Sequence, residues 1–433
     1  MSAGPDVAVV GAGASGTIQA LHLLREGAAR VTLIERERIP GRGTAYGTRR
    51  PEHLLNVTAQ RMIVYPQYPD HFARWFAARG GAADDYAPRM LFGDYLAAEL
   101  AAAGEKIAIV AGEAVDVAPG EAVRLADGRE IAADAVVLAP GNLRPAVLPG
   151  VDPGRLGDVY AADPWLGGFA EGLGPDETVL LIGTALTAVD AALTLDALGF
   201  RGRIVAISRR GLLPRAHLKR EPVAGPAPAY PPIGSGLVGA VRRRADEIGW
   251  REAVHEMRPI SQGLWDATPL DARRRFLRHL RAWWDVHRHR IAPAVAERIE
   301  ALRAEGRFEL AAGRIVSAEP GEGGAIVSWR PRGEEAVREL AVRRIIPCSG
   351  PDIDIARAGE PLLDALIASG RIRPDPARVG VHVDRESRVL DAGGVASETL
   401  SAVGPITRGA FWETIAVPDI AVQAAMVAKR IAG

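Results

Sequence analysis

Ten residues near the start of the chain constrain its fold more than any others. Val7 to Gly16 reads VAVVGAGASG, an apolar strand run ending in Gly11-Ala12-Gly13-Ala14-Ser15-Gly16, and a helix-forming segment follows from Thr17 to Glu26. A strand that feeds a GxGxxG turn and then a helix opens a βαβ dinucleotide-binding unit. Gly11 permits the tight turn, Gly13 lets a pyrophosphate approach the backbone, and Gly16 lets the helix pack closely on the strand. Together with Ala12, Ala14 and Ser15 they form a candidate phosphate cradle, because free amides at a helix N-terminus attract anions. The next strand run, Val31 to Glu35 (VTLIE), ends in an acid where such units carry the residue that accepts hydrogen bonds from an adenosine ribose.

The plan recurs. From Thr178 the chain reads TVLLIGTALTAVDAAL, again a strand, then small residues at Gly183, Thr184, Ala185, Thr187 and Ala188, then a helix. The following strand, Arg203 to Ile207, ends in Ser208-Arg209-Arg210 instead of an acid. A carboxylate there repels a 2′-phosphate, whereas a hydroxyl and two guanidinium groups bind one, so this unit is expected to prefer NADPH to NADH. Ala185 stands in the place of the second glycine, where a methyl group faces the pyrophosphate, and the alternative is a vestigial unit that binds no nucleotide.

Each unit continues into a β-rich stretch and a return strand. In the first, Ile107 to Ile131 with its Asp127-Gly128 turn leads to VVLAPGN, Val136 to Asn142, with Gly141 beside the cofactor; in the second, Phe308 to Val342 leads to IIPCSGPD, Ile345 to Asp352. The reading is an α/β fold of two Rossmann-like dinucleotide-binding domains with β-meanders, the second inserted in the first: residues 1–173, 174–350 and 351–433. The position of the first turn at the chain start, with a second unit downstream, favours FAD there.

An added helical segment, about 221–303, departs from this plan. It opens with a Pro/Gly-rich loop, Glu221 to Gly236, and continues as helix, with Phe276, Leu280, Trp283, Trp284 and Ile291 at helical spacing in RRRFLRHLRAWWDVHRHRIAP. His279, His287 and His289 are read as a basic solvated face. Arg278, Arg281 and Arg288 are candidate substrate-binding residues that attract a carboxylate.

Composition narrows the function classes. The 53 basic and 53 acidic side chains cancel, which argues against nucleic acid and anionic membranes and for small-molecule partners. A single cysteine, Cys348, precludes a dithiol redox pair and a cysteine-based zinc site, and no metal is expected. With no secretory leader pattern and no apolar run of bilayer length, a cytoplasmic location is expected. Oligomeric state is not legible.

Taken together the motifs resemble a bacterial family of FAD/NAD(P)-binding proteins related to flavin-containing and amino-acid N-hydroxylating monooxygenases. The resemblance spans nearly the whole chain. It rests on VAVVGAGASG, on GRGTAYGTRRPEHLLNVTAQRM (Gly41 to Met62), PRMLFGDYL (Pro88 to Leu96), ISRRGLLPRAH (Ile207 to His217), the segment ending HRHRIAP, and GPITRGAFWETIAVPDI (Gly404 to Ile420). It implies FAD reduced by NADPH and transfer of an oxygen atom from molecular oxygen to a small amine or amino acid. It further implies that His53 and Asn56 lie near the flavin, that Gly404 and Pro405 stand where related flavoproteins carry Gly-Asp, and that Trp412 walls the substrate pocket, with Arg408 and Glu413 beside it. The FxGxxxHxxxW pattern of Baeyer-Villiger and flavin-containing monooxygenases is missing. Two rivals remain: a flavin reductase or dehydrogenase with another electron acceptor, and a non-catalytic FAD-binding sensor.

Overall fold

The computed structural model describes residues 4–36, 39–165, 168–218 and 225–433; the first part of the breaker-rich loop, Glu221 to Ala224, lies outside them. Two six-stranded sheets organise the chain. In the first, the strands run in the order Arg388–Leu390, Ala396–Ala402, Ala135–Leu138, Asp6–Val10, Arg30–Glu35, Ile107–Ala111, all parallel except the edge strand Arg388–Leu390. Val7 to Val10 are buried, as expected of a central parallel strand covered on both faces. The helices Ala14–Glu26 and Val417–Ala432 pack together on one face, so the two ends of the chain share one core.

The second sheet repeats the plan. Phe308–Gly321, Arg203–Ser208, Thr178–Ile182 and Arg344–Pro347 lie side by side in parallel. From Gly313 on, with a bulge between Ile315 and Ser317, Phe308–Gly321 pairs antiparallel with Gly324–Pro331, which in turn pairs with Arg338–Val342. The chain thus leaves the first sheet after Ala135–Leu138, builds the second, and returns to the first. A small meander, Ala114–Val117, Val123–Leu125 and Glu130–Ile131, packs its buried face on the first unit.

The repeat extends to single hydrogen bonds. Gly11 N–H donates to the Ile34 carbonyl and Gly183 N–H to that of Ile207, both at 2.8 Å. The return strands close in the same way, Ala139 N–H on the Val10 carbonyl at 2.8 Å and Cys348 N–H on that of Ile182 at 2.9 Å. Both glycines have positive φ, +102° and +125°. A β-carbon would collide with the Ala139 carbonyl at Gly11 and with the Cys348 carbonyl at Gly183, so only glycine fits the corner in either copy.

Between Arg203–Ser208 and Phe308–Gly321 the insertion forms a run of helices: Ser235–Ile248, Trp250–Met257, Ser261–Ala267, Leu270–His279, Arg281–Arg288 and Pro293–Ala304. The periodic run read as continuous helix is broken at Leu280, and the break re-phases the apolar stripe. Phe276 stays buried while Trp283, assigned to the same stripe, is 43% exposed. The solvated face predicted for the histidines holds for His279 alone. His287 is half-buried against Trp250 with ring centroids 5.0 Å apart, and the His289 side chain is 18% exposed.

Replacing Gly183 by Ala is expected to destabilise the protein by roughly 2–5 kcal/mol, combining left-handed backbone strain with overpacking against a carbonyl. Denaturant unfolding followed by circular dichroism checks this, and a loss below about 1 kcal/mol would contradict it.

Candidate functional site

The first turn leaves a space that the protein itself does not fill. Gly16 abuts the Gly11 carbonyl and Gly11 abuts that of Ala139, but a β-carbon at Gly13 would meet only the Gly43 Cα, at an ordinary 3.5 Å. Gly13 has φ −70°, which any residue adopts. Close packing therefore excludes a side chain at Gly11 and Gly16, while at Gly13 the protein leaves the space over the turn open. Glu35 ends its strand beside the turn, its Oε2 accepting the Ala12 N–H at 2.9 Å. Gly404, at φ +79°, lies against the Ser15 hydroxyl and donates its N–H to Gln423 Oε1 at 2.8 Å, which joins the C-terminal segment to the cradle. Pro405 and Gly141 line a cleft directly beyond it.

In the second turn Ala185 has φ −88° and ψ −162°, close to the −70° and −171° of Gly13. The alanine leaves the backbone shape of the cradle unchanged and alters only the space above it. Thr187 lies in the first turn of the helix Leu186–Ala197. Thr184 Oγ1 donates to the Leu212 carbonyl at 2.6 Å and lies 2.8 Å from Ser208 Oγ, which accepts the Gly211 N–H at 3.0 Å. Past this turn Arg209, Arg210, Arg278, His279 and Arg332 line an open pocket. Arg210 donates to the His279 carbonyl at 2.8 Å, and burial together with the charges of Arg209 and Arg332 lowers its pKa. Cations gathered from three stretches of chain with no acid in the lining make a site for a polyanion. Arg278 belongs to this cluster. Arg332, in the loop after Gly324–Pro331, was not foreseen.

The other two arginines assigned to substrate go elsewhere. Arg281 lines the cleft beside Gly141 and Pro405, between the two units. Arg288 is an ion-pair partner, its Nη2 2.9 Å from Oε2 of the buried Glu413 and its own side chain largely withdrawn from solvent. The insertion reaches across to the first unit and packs there. Trp412, 3% exposed, stacks on Trp265 at 4.4 Å and meets Phe276 edge-on, while the Trp265 indole donates to the Gly409 carbonyl at 2.8 Å. Trp412 is therefore the centre of an inter-unit aromatic core, which removes it from the cleft surface.

His53 and Asn56 stand at a second crossing between the units. His53 Nδ1 lies 2.9 Å from Thr48 Oγ1 and Nε2 lies 2.8 Å from Thr194 Oγ1, so both ring nitrogens are engaged and the ring is 3% exposed. Arg89 donates to both oxygens of Asp190, at 2.6 and 3.2 Å, and to the Leu54 carbonyl. The Asn56 carbonyl pairs with His217 Nε2 at 2.9 Å. The loop Thr48–Asn56 thereby clasps the helix Leu186–Ala197, and His53 holds units together instead of facing a substrate. Among the described residues no group of His, Cys, Asp and Glu could hold a metal ion, and no helix is long and apolar enough to cross a membrane.

Residues 8–143 match the family model described as FAD-NAD(P)-binding. The N-terminal region is an FAD-NAD(P)-binding domain. Over the full length, the fold is that of two-dinucleotide flavoproteins. The chain is similar to ornithine N-hydroxylase from Kutzneria sp. 744, with a TM-score of 0.68 at 16% identity, each chain covered to 99%. It is similar to L-lysine 6-monooxygenase from Pseudomonas syringae, with 0.61 at 16% and 99% of each chain, and to thioredoxin reductase from Lactococcus lactis, with 0.57 at 15%, covering 99% of this chain and 98% of that one. No curated protein sequence matches.

Two outcomes follow. Gly13→Ala is expected to keep the apo-protein's stability within about 1 kcal/mol while weakening FAD binding about tenfold or more, because the added methyl meets ligand and not protein. Apo-protein unfolding and flavin fluorescence titration read the two effects, and an unchanged FAD affinity would contradict the assignment. The second concerns pH. Burial lowers the pKa of His53, which faces Arg89 and Asp190, and pushes His289 well below its ordinary value. Both are neutral in the fold but take a proton when unfolded, near pH 6.5. Stability is therefore full above about pH 6.5 and lost as pH falls below it. The melting temperature should drop between pH 7.5 and 5, with a shallower slope in His53→Gln; equal slopes would exclude a contribution from His53.

Proposed function

We propose that this chain is an FAD- and NADPH-dependent monooxygenase that N-hydroxylates a small amine or amino acid. The observation that carries the reading is the cleft between the two units: Gly141 and Pro405, at one end of the proposed FAD cradle, line it together with Arg281 of the helical insertion. Such junctions are where cofactors meet substrates. Full-length likeness of fold to an ornithine N-hydroxylase and a lysine 6-monooxygenase supports it. The likeness to thioredoxin reductase supports the rival reductase reading, but a chain with one cysteine, buried Cys348, lacks the dithiol that disulfide reduction needs.

When bound, FAD would supply the redox chemistry, with NADPH as the two-electron donor and O2 giving one atom to the substrate nitrogen and the other to water. The protein binds and orients. Gly13 and the amides of Ala14 and Ser15 receive the FAD pyrophosphate, and Glu35 its ribose. Thr184 and Thr187 border the NADPH pyrophosphate at Ala185. Arg209, Arg210, Arg278 and Arg332 hold the 2′-phosphate, with the Ser208 hydroxyl at the ribose. The aromatic core at Trp412 and the clasp at His53 close two flanks of the junction and exclude water.

The test is oxygen consumption and hydroxylamine formation with NADPH over a panel of amines. NADPH should reduce the flavin at least about tenfold more efficiently than NADH, and Arg278→Gln should erase most of that preference, as loss of a charge-assisted hydrogen bond predicts. Equal use of NADH, or an Arg278→Gln ratio like wild type, would overturn the 2′-phosphate assignment. Electron transfer to a quinone or dye with no oxygenated product would favour the reductase, and no bleaching by NADPH would favour the sensor.

A further inference from the structure

Two guanidinium groups line the junction cleft, Arg281 from the insertion and Arg408 from the C-terminal segment of the first unit. Arg408 is 6% exposed. It lies 4.1 Å from the centre of the Trp412 ring, and its Nε donates to the Trp412 carbonyl at 3.4 Å. Its ionic partner, Asp285 Oδ1, is 3.7 Å from Nη2, beyond hydrogen-bond reach, and that oxygen has no hydrogen-bond donor. Asp285 is also shared, because Arg281 Nε donates to its other oxygen at 3.3 Å.

The surrounding charges do not make up the difference. Arg288 is matched to Glu413 at 2.9 Å and Arg258 to Asp419 at 2.8 Å, with Glu413 a further 3.7 Å partner of Arg258. His289 is neutral. Asp352, the carboxylate in the cleft lining, is paired with Arg357 at 3.2 Å; around Arg408, four guanidinium groups thus face three carboxylates, and the unmatched positive charge falls on Arg281 and Arg408. Burial first and Arg281 second lower the Arg408 pKa to about 10, as like charges forced together out of water require. A buried cation without a full partner is costly unless an anion completes the site.

We propose that Arg281 and Arg408 together bind a carboxylate of the substrate, so that the amine this enzyme accepts carries a carboxylate as its handle. Guanidinium groups suit this because their planar N–H forks match the two carboxylate oxygens. Since one arginine comes from the insertion and the other from the first unit, the substrate spans the junction. The proposal rests on the reading of the cleft as the site of oxygenation.

The experiment is calorimetric titration of the FAD-loaded full chain with succinate, which has two carboxylates and no amine to oxidise. Saturable binding is expected, weakened at least about tenfold in Arg281→Gln and in Arg408→Gln, unchanged in Arg314→Gln on the exposed face of Phe308–Gly321, and tighter in Asp285→Asn. Arg281 is a quarter exposed at its side chain, so its variant carries the test should Arg408→Gln fold poorly. No saturable binding by wild type, or equal affinity in Arg281→Gln, overturns the proposal. So does a changed flavin reduction potential in Arg408→Gln with succinate affinity intact, which assigns the charge to the flavin. Because the readout needs no turnover, arginine-dependent succinate binding without any hydroxylated product would leave this site standing and defeat the monooxygenase reading. Product formed equally well from amines without a carboxylate would do the reverse.

Discussion

A site built between two units is only as well defined as the contact that fixes them, and here that contact is the Arg89–Asp190 ion pair. Its two hydrogen bonds tie the first unit to the helix that follows the second nucleotide turn, and both side chains are largely withdrawn from water. Breaking one member of such a pair leaves an uncompensated buried charge and costs roughly 3–5 kcal/mol, so the arrangement tends to stay whole. His53 strengthens it as a neutral ring between two threonine hydroxyls. On the far side, Arg258, Arg288 and the Trp265–Trp412 stack fix the insertion against the C-terminal segment. Held on two flanks, the junction has a fixed geometry within which a flavin and a nicotinamide can be aligned.

The two glycine-rich turns share one backbone design. Its invariants are the positive-φ glycines, Gly11 and Gly183, whose missing side chains make room for a carbonyl of the return strand. Its variables are one residue of the turn and the residue that ends the following strand. Gly13 became Ala185 with little change in φ and ψ, and Glu35 became Ser208, where the strand end passes from a carboxylate to a hydroxyl backed by arginines. Conformation is shared between the copies and side-chain chemistry is not.

This division also explains what the sequence made legible. The strand, turn and helix of each unit are local, and every requirement they impose falls within a few consecutive residues such as Val7 to Gly16, so they could be read directly. The clasp was not readable, since His53 meets Thr194 across 141 positions and Arg89 meets Asp190 across 101. In the sequence His53 is only a polar residue in a loop near a cofactor, and nothing local separates a catalytic ring from a buried hydrogen-bonded one. Trp412 poses the same problem, because its stacking partner lies in the insertion. For the arginines of the insertion, the break at Leu280 was not visible. A helix continued through it would put Arg278 and Arg281 on neighbouring faces of a single rod, and the fold sends them to different pockets.

That break has a thermodynamic consequence. Arg278 ends one helix in the pocket beside Arg209 and Arg210, and Arg281 begins the next in the cleft beside Arg408, with Leu280 as the pivot. Two anions bound at these places would pull on opposite sides of one short hinge. Any shift of the hinge that favours one would change the affinity for the other, and by linkage the effect would be equal in both directions. Nucleotide and substrate would then sense each other through three residues of backbone, without either touching the other.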